Sequence, residues 1–305
     1  MMEIDFYHID VFEVSVFLPI YRALESIGVN PRPILPNEQA NTAAAGYLDV
    51  EECVKFYRKN KIKYYRDPNY HNPVCTTQGS EFLSLYRNLR IRIPYGPGLY
   101  PFGWGLTRKS TLGFDHIIVH GGYYRNYLSH FFDIEKIHVG GYPRYDDYFS
   151  SDFNNRVDTK EIPFDIDSAL ETILILPTWG EYSSLSKLLK LSEIIRDRFS
   201  ILIKPHHLSV AREFETLGYL EDNGLIILRE SDVLVEALAV SDIVICDIRS
   251  CTFSESILAN KKTIGLVTNN EDLEWINQQN LNLICYIAVD LDDLIVAIEK
   301  YVHHD

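Results

Sequence analysis

Short apolar runs alternate with stretches of helical periodicity through the second half of the chain. The apolar runs predict strands at residues 172–176, 201–203, 225–228, 243–246, 263–267 and 284–289. Apolar residues spaced three or four apart predict helices at residues 183–198, 210–220, 233–239, 253–259, 272–279 and 291–302. Repeated alternation of strand and helix is typical of a parallel sheet with helices on both faces.

The first half repeats this alternation less regularly. Its predicted strands lie at residues 4–9, 32–35, 62–65, 74–77, 89–94, 116–120 and 137–139, and its predicted helices at residues 14–27 and 50–59. A polar, acid-rich segment at residues 151–168 is typical of a linker. The sequence therefore predicts an α/β protein with an N-terminal domain at residues 1–150 and a C-terminal domain at residues 169–305, facing a central cleft.

Composition and charge exclude several classes of partner. The chain is 46% hydrophobic and 24% charged, as globular proteins are. The net charge of −14 argues against nucleic acid, because phosphate backbones are bound by clustered Lys and Arg. We expect no membrane span and no signal peptide. The five scattered cysteines lack metal-ligand spacing, so we expect reduced thiols, no metal and a cytoplasmic location.

One strand–loop–helix–strand unit, at residues 236–267, carries candidate chemistry. In such units ligands bind at the carboxyl ends of the strands, and phosphates bind at helix N-termini. Ser250, Cys251 and Thr252 stand where the helix begins and offer N–H groups and hydroxyls to an anion. Glu255 fits two roles, a capping-box partner of Thr252 or an acceptor for sugar hydroxyls.

Four short motifs follow one another along residues 115–267. They are Gly141-Tyr142-Pro143-Arg144-Tyr145-Asp146, Ile175-Leu176-Pro177-Thr178-Trp179, Ile203-Lys204-Pro205-His206, and Asp242-Ile243-Val244-Ile245-Cys246-Asp247 with Ser250. In order and spacing this set resembles the CDP-glycerol glycerophosphotransferase (teichoic-acid polymerase-like) family and its GT-B relatives in surface-glycan synthesis. The resemblance implies a GT-B-like fold of two Rossmann-like domains. It also implies transfer of a sugar or polyol-phosphate group from a nucleotide-diphosphate donor to a glycan acceptor.

Donor-binding residues follow from this resemblance and from the needs of a leaving diphosphate, which are hydrogen-bond donors and positive charge. The residues predicted to bind the donor are Thr178, His206, Asp247, Arg249, Ser250, Cys251, Thr252 and Glu255. Arg249 replaces a hydroxyl residue of the family's loop, and we predict that it supplies a fixed positive charge to the diphosphate. With no convincing Asp-x-Asp motif, we expect metal-free stabilisation and no cofactor besides the nucleotide-diphosphate substrate.

The general base is less sharply defined. The family has His-Gly after an N-terminal strand, whereas the matching position here reads Tyr95-Gly96, and a phenol of ordinary pKa is a poor base. We therefore favour Asp10 or His120, which follow other strands of the first half. The predicted catalytic residues are Asp10, His120 and His206, and the predicted acceptor-side residues are His8, Tyr95, Gly96 and Arg144.

Two other interpretations stay open at this point. A nucleotide-sugar 2-epimerase-like enzyme would share the fold and would release the nucleotide without an acceptor. A degenerate, non-catalytic GT-B domain that binds glycan or supports a complex would account for Tyr95. The expected partners are a nucleotide-activated donor and a carbohydrate acceptor, and any contact with a membrane would be made through partners.

Overall fold

The computed structural model describes most of the chain. The described residues are 2–8, 11–35, 50–77, 81–98, 111–146, 148–149, 166–167, 169–230 and 233–303. The chain divides into two compact units, Met1–Pro97 with Pro101–Asp147 and Gly98–Tyr100 with Tyr148–Asp305. Apart from residues 166 and 167, the predicted linker at residues 151–168 lies outside the described residues. The acceptor and donor roles of the two domains stay predictions.

The first unit contains a parallel sheet of six strands in the order β2-β1-β3-β4-β5-β6. The strands are β1 Glu3–Tyr7, β2 Asn30–Ile34, β3 Val74–Thr76, β4 Arg90–Arg92, β5 His116–Val119 and β6 Ile137–Val139. Within its described residues, the helices are α1 Val11–Ser26, α2 Val50–Lys59 and α3 Gly122–Leu128, with 3₁₀ turns at Glu81–Leu85, Ile134–Lys136 and Pro143–Tyr145.

A buried carboxylate holds the first unit together near β1. Asp5 is fully buried, and its Oδ1 accepts hydrogen bonds from Arg32 Nη1 at 2.7 Å and from Asn72 Nδ2 at 2.9 Å. Its Oδ2 accepts from the Asn69 N–H at 2.7 Å and from the Tyr86 hydroxyl at 3.0 Å. These four hydrogen bonds replace those to water that burial removes, so the buried carboxylate has a protein partner for each oxygen.

The second unit also contains a parallel sheet of six strands, in the order β12-β11-β10-β7-β8-β9. The strands are β7 Glu171–Leu176, β8 Phe199–Ile203, β9 Ile226–Ile227, β10 Ile243–Asp247, β11 Lys262–Leu266 and β12 Tyr286–Ala288. In the part of this unit that the structure describes, the helices are α4 Leu188–Ile195, α5 His207–Arg212, α6 Phe214–Asp222, α7 Leu234–Val240, α8 Cys251–Leu258, α9 Glu271–Gln278 and α10 Leu291–His303. Its 3₁₀ turns are Gly180–Tyr182, Leu185–Lys187 and Leu281–Leu283.

The central strands of the second unit are buried on both faces, because helices cover both faces of the sheet. All residues of β8 and β10, and all but the first of β7, are buried. Continuous apolar runs are what such strands require, which is why they could be recognised in the sequence. The predicted α/β class, with parallel sheets, is confirmed.

Several predicted elements differ from the structure. Residues 62–65 are not a strand, since Tyr65 makes an isolated bridge to Ile34. The helix predicted at residues 210–220 is two helices, α5 and α6, which meet at Glu213. Helix α3 was not predicted. Among the described residues, no helix is both long and apolar enough to cross a membrane.

Gly265 of β11 lies where α8 and β12 leave no room for a side chain. A methyl group there would come within 2.8 Å of Ile248 Cγ2, 2.9 Å of Phe253 Cε2 and 3.0 Å of Ile287 Cδ1. We expect Gly265→Ala to lower the free energy of unfolding by about 1–3 kcal/mol, because overpacking forces neighbours to shift. Urea denaturation followed by circular dichroism measures the change.

A matched control is available in the same unit. Gly218 lies within α6, and an added methyl group would meet nothing within 4 Å. Gly218→Ala should raise the free energy of unfolding by about 0.5–1 kcal/mol, because alanine favours the helix. Equal effects of the two substitutions would contradict the tight packing assigned to Gly265.

Candidate functional site

The strand order of the second unit reverses between β7 and β10. From β7 the chain continues outward through β8 and β9, and from β10 it continues in the opposite direction through β11 and β12. In open parallel sheets, ligands bind outside the carboxyl ends of the strands at such a reversal. The loops that follow β7 and β10 are therefore the candidate site.

Asp247, the last residue of β10, joins these two loops. Its Oδ2 accepts hydrogen bonds from the Thr178 N–H at 2.7 Å and the Ser184 N–H at 3.1 Å. The side chain is fully buried, and burial raises the pKa of Asp247 to about 6 although the hydrogen bonds oppose the shift. Asp247, predicted to bind the donor, thus holds the backbone on which the predicted donor residue Thr178 lies.

Ser250 caps helix α8. Its Oγ accepts from the Thr252 N–H at 3.3 Å and lies 2.7 Å from the Thr252 hydroxyl. The capping box predicted between Thr252 and Glu255 is wrong, because the helix begins at Cys251 and Ser250 is the N-cap. Glu255 lies further along α8 with 2% of its surface exposed, so its predicted contact with a sugar needs access that this arrangement does not supply.

Arg249 has protein partners on both sides. Its guanidinium donates to the Asp272 carboxylate, with distances of 2.9 Å from Nε to Oδ1 and 2.6 Å from Nη2 to Oδ1. Its Cζ also lies 4.0 Å from the centre of the Tyr182 ring. The fixed positive charge predicted to stabilise the diphosphate is therefore paired with Asp272.

His206 follows β8, the neighbour of β7, and caps helix α5. Its Nδ1 accepts from the Leu208 N–H at 3.2 Å, so the ring proton of the neutral imidazole lies on Nε2. Burial, with His207 and Lys204 nearby, lowers the pKa of His206 well below its ordinary value. The ring lies 6.1 Å from that of Trp179 in the loop after β7. His206 can therefore donate a hydrogen bond from Nε2 at neutral pH.

His120 occupies an aromatic environment in the first unit. Its Nδ1 lies 3.1 Å from the Gly141 carbonyl, and its ring packs edge-on against those of Tyr142 at 4.8 Å and Tyr124 at 6.0 Å. Burial lowers the pKa of His120, while the carbonyls of Gly141, Gly96 and Pro94 oppose the shift. His120 is thus neutral near pH 7, and its role as a base stays a prediction.

The other predicted acceptor-side residues are distributed over the first unit. His8 is buried against Tyr57 and Phe17, where burial lowers its pKa to about 3, so this geometry gives it no access to an acceptor. The Tyr95 carbonyl accepts from the Tyr142 hydroxyl at 2.9 Å, with Gly96 beside it. Arg144 lies in the 3₁₀ turn Pro143–Tyr145. Asp10 lies outside the described residues.

Sequence reasoning missed three residues that shape the second unit's loops, namely Tyr182, Ser184 and Asp272. Asp272 lies in the first turn of α9 among acidic residues, which is the common signal for a helix start and does not point to Arg249. Among the described residues, no group of three or more His, Cys, Asp or Glu side chains could hold a metal ion.

Three solved structures share this architecture. The wall teichoic acid polymerase TagF matches with a TM-score of 0.60 and 15% identity, over 91% of this chain and 72% of that chain. UDP-GlcNAc 2-epimerase from Neisseria meningitidis matches with a TM-score of 0.61 and 12% identity, over 100% of this chain and 92% of that chain. WaaG, a glycosyltransferase involved in lipopolysaccharide biosynthesis, matches with a TM-score of 0.51 and 10% identity, over 98% of this chain and 90% of that chain. At these identities the likeness shows the fold alone, which is of the GT-B type.

The sequence defines the family within this fold. The family model described as CDP-glycerol:poly(glycerophosphate) glycerophosphotransferase matches residues 107–259, half of the chain. The chain belongs to this family, and the resemblance read from its four motifs is confirmed. A search of curated proteins found no match.

The pH dependence of stability should reveal the buried histidines. Burial and Lys204 lower the pKa of His207 to about 4, against about 6.5 in the unfolded chain. Between pH 7 and pH 5 the unfolded chain takes up a proton that the folded one does not, so His207 alone should cost about 2 kcal/mol of stability. Asp247 acts in the opposite direction, since its raised pKa favours the folded state on acidification.

Comparison with a variant isolates the contribution of His207. Urea unfolding at pH 7 and pH 5 should show that His207→Gln loses about 2 kcal/mol less than the unsubstituted protein on acidification. Parallel pH dependences of the two proteins would contradict the lowered pKa.

Thiol reactivity should single out Cys251. It is partly exposed at the start of α8, whereas Cys53, Cys75, Cys246 and Cys285 are buried. Burial also raises the pKa of Cys75, Cys246 and Cys285, which leaves less reactive thiolate. We expect one thiol to react rapidly with maleimide in the folded protein, and Cys251→Ser to abolish that reaction. Mass spectrometry measures the number of modified thiols, and rapid modification of a second thiol would contradict this prediction.

Proposed function

We propose that the protein transfers a sugar or polyol-phosphate group from a nucleotide-diphosphate donor to a hydroxyl of a glycan acceptor. The observation that carries the proposal is the group of loops at the carboxyl edge of the second sheet. Asp247 bonds the loop after β10 to the loop after β7, and Trp179 in the latter faces His206 after β8. This is the place where a parallel sheet binds nucleotides.

The residues at this edge suit a leaving diphosphate. Hydroxyls of Ser250 and Thr252 stand at the N-terminus of α8, where the helix dipole favours negative charge. His206 offers a neutral Nε2–H donor, and Lys204 supplies positive charge nearby. Preorganised donors of this kind stabilise charge that develops on the departing phosphate.

The family favours a cytidine nucleotide as the donor, because its description names CDP-glycerol. The departures of this chain from the family pattern, Arg249 in the loop and Tyr95 in place of a histidine, keep a sugar nucleotide as the second candidate. Both donors share a pyrophosphate, so the same residues would serve either one.

A thermal-shift panel with CDP, UDP, GDP, CMP and CDP-glycerol tests the proposal. A ligand at about 100 times its Kd adds about 2.7 kcal/mol to stability, which raises Tm by several degrees for a unit of this size. We expect one nucleotide series to stabilise the protein, with diphosphates ahead of the monophosphate. Ser250→Ala and His206→Ala should remove most of this shift.

Asp133→Ala is the matched control for Ser250→Ala. Asp133 caps the 3₁₀ turn Ile134–Lys136 in the first unit and accepts from the Glu135 N–H at 3.2 Å. Both substitutions remove a cap, at a cost of about 1 kcal/mol each, and the control should retain the full nucleotide shift. No shift with any nucleotide at millimolar concentration would overturn the proposed function. Turnover of a bound donor without any acceptor would favour the epimerase-like alternative.

A further inference from the structure

Arg249 lies in the middle one of three neighbouring loops. The sheet order places β10 between β11 and β7, and Arg249 follows β10. Its guanidinium contacts Asp272, in the first turn of α9 after β11, and the ring of Tyr182, in the 3₁₀ turn after β7. One side chain therefore connects the three loops that surround the start of α8.

The contacts of Arg249 with Asp272 have the geometry of a strong buried pair. Nε lies 2.9 Å from both carboxylate oxygens, and Nη2 lies 2.6 Å from Oδ1. The Asp272 side chain is fully buried and that of Arg249 is 15% exposed. Breaking such a pair leaves a buried charge without its partner, so the arrangement is expensive to open.

The same pair lies at the turn that leads into helix α8. The Ile248 N–H donates to the Leu266 carbonyl at 3.1 Å, and the Ser250 N–H donates to the Asp247 carbonyl at 2.9 Å. Arg249 lies between these two backbone anchors and directly before the residues that start the helix. Its side-chain contacts with Asp272 and Tyr182 therefore add to the backbone hydrogen bonds that hold this turn.

We propose that Arg249 is a positioning residue: through Asp272 and Tyr182 it holds the loops after β7, β10 and β11 in the arrangement that receives the donor diphosphate. This proposal rests on the proposed function for the identity of the ligand. The pair of Arg249 and Asp272 carries no net charge, so its contribution is geometric. Other groups at this edge would contact the phosphate and balance its charge.

The positioning role and a direct phosphate contact predict opposite effects of Asp272→Asn. If Arg249 bound the diphosphate itself, removing the competing carboxylate would free its charge and tighten CDP binding. If Arg249 positions the loops, Asp272→Asn and Arg249→Gln each weaken CDP binding, by about tenfold, and the double variant is no weaker than either. Arg249→Lys separates the roles again, since lysine keeps the charge and loses the planar two-donor contact.

The experiment has one readout without ligand and one with ligand. The first is the rate at which maleimide modifies Cys251, which follows Arg249 by two residues. This rate should be higher than in the unsubstituted protein, by about the same factor, in Arg249→Gln, Asp272→Asn and the double variant. It should also be higher in Arg249→Lys. The second is CDP affinity by calorimetry. Tyr182→Leu leaves the ion pair intact and should change the Cys251 rate and the CDP affinity by less. It replaces the ion-pair variants in the test if one of them does not fold.

Arg229→Gln and Glu221→Gln form the matched control. Arg229 Nε and Nη2 donate to Glu221 at 3.0 and 2.9 Å, a two-point pair elsewhere in the same unit that is more exposed than the pair of Arg249 and Asp272. These substitutions should change neither readout. Tighter CDP binding in Asp272→Asn, restoration by Arg249→Lys, or an unchanged Cys251 rate in all variants would overturn the positioning role. If the unsubstituted protein binds no nucleotide, the proposed function fails, and the Cys251 rates still decide whether Arg249 holds the loops.

Discussion

The Asp247 carboxylate is the constraint on which the carboxyl edge of the second sheet depends. It is fully buried at the end of β10 and accepts the N–H groups of Thr178 and Ser184 from the loop after β7. Buried N–H groups need partners, and a charged acceptor gives stronger hydrogen bonds than a neutral one. Burial opposes the same charge, as the raised pKa of Asp247 records. The charged form of Asp247 is therefore stable in this position only while both N–H groups donate to it, and the same two hydrogen bonds hold the loop.

The first unit uses a buried carboxylate differently. Asp5 lies within β1 rather than at its end, and its four donors include the cationic Arg32. This satisfied ion pair ties β1 to β2 and to the segment before β3, which is a structural task. Asp247 bonds two amides at a strand end, where the strand order reverses. The difference in position explains why only Asp247 belongs to a candidate site, although both carboxylates are buried.

The sequence predicted what depends on local pattern and failed where distant residues decide. Continuous apolar runs identified β7, β8 and β10, because strands buried on both faces need them. The start of α8 was misplaced, since both Ser250 and Thr252 can cap a helix and the turn from Asp247 selects Ser250. The partner of Arg249 is 23 residues away in α9, and no local pattern connects the two. Helix α3, rich in tyrosine after two glycines, lacks the usual apolar spacing.

The charge balance at the candidate site limits the kind of group it can bind. Arg249 is paired with Asp272, and His206 and His207 have lowered pKa values and are neutral at pH 7. Asp247 keeps a negative charge inside the edge. A diphosphate here would meet hydroxyls, imidazole N–H and a helix N-terminus, and the positive charges near these loops are Lys204, Lys187 and Arg212. Such oriented neutral donors act over short distances and depend on geometry, whereas an unpaired arginine would attract phosphate from several orientations. For a site built in this way, the positions of the loops would matter more for the affinity of a diphosphate than the total charge, and the contacts that hold the loops would be as important as those that touch the ligand.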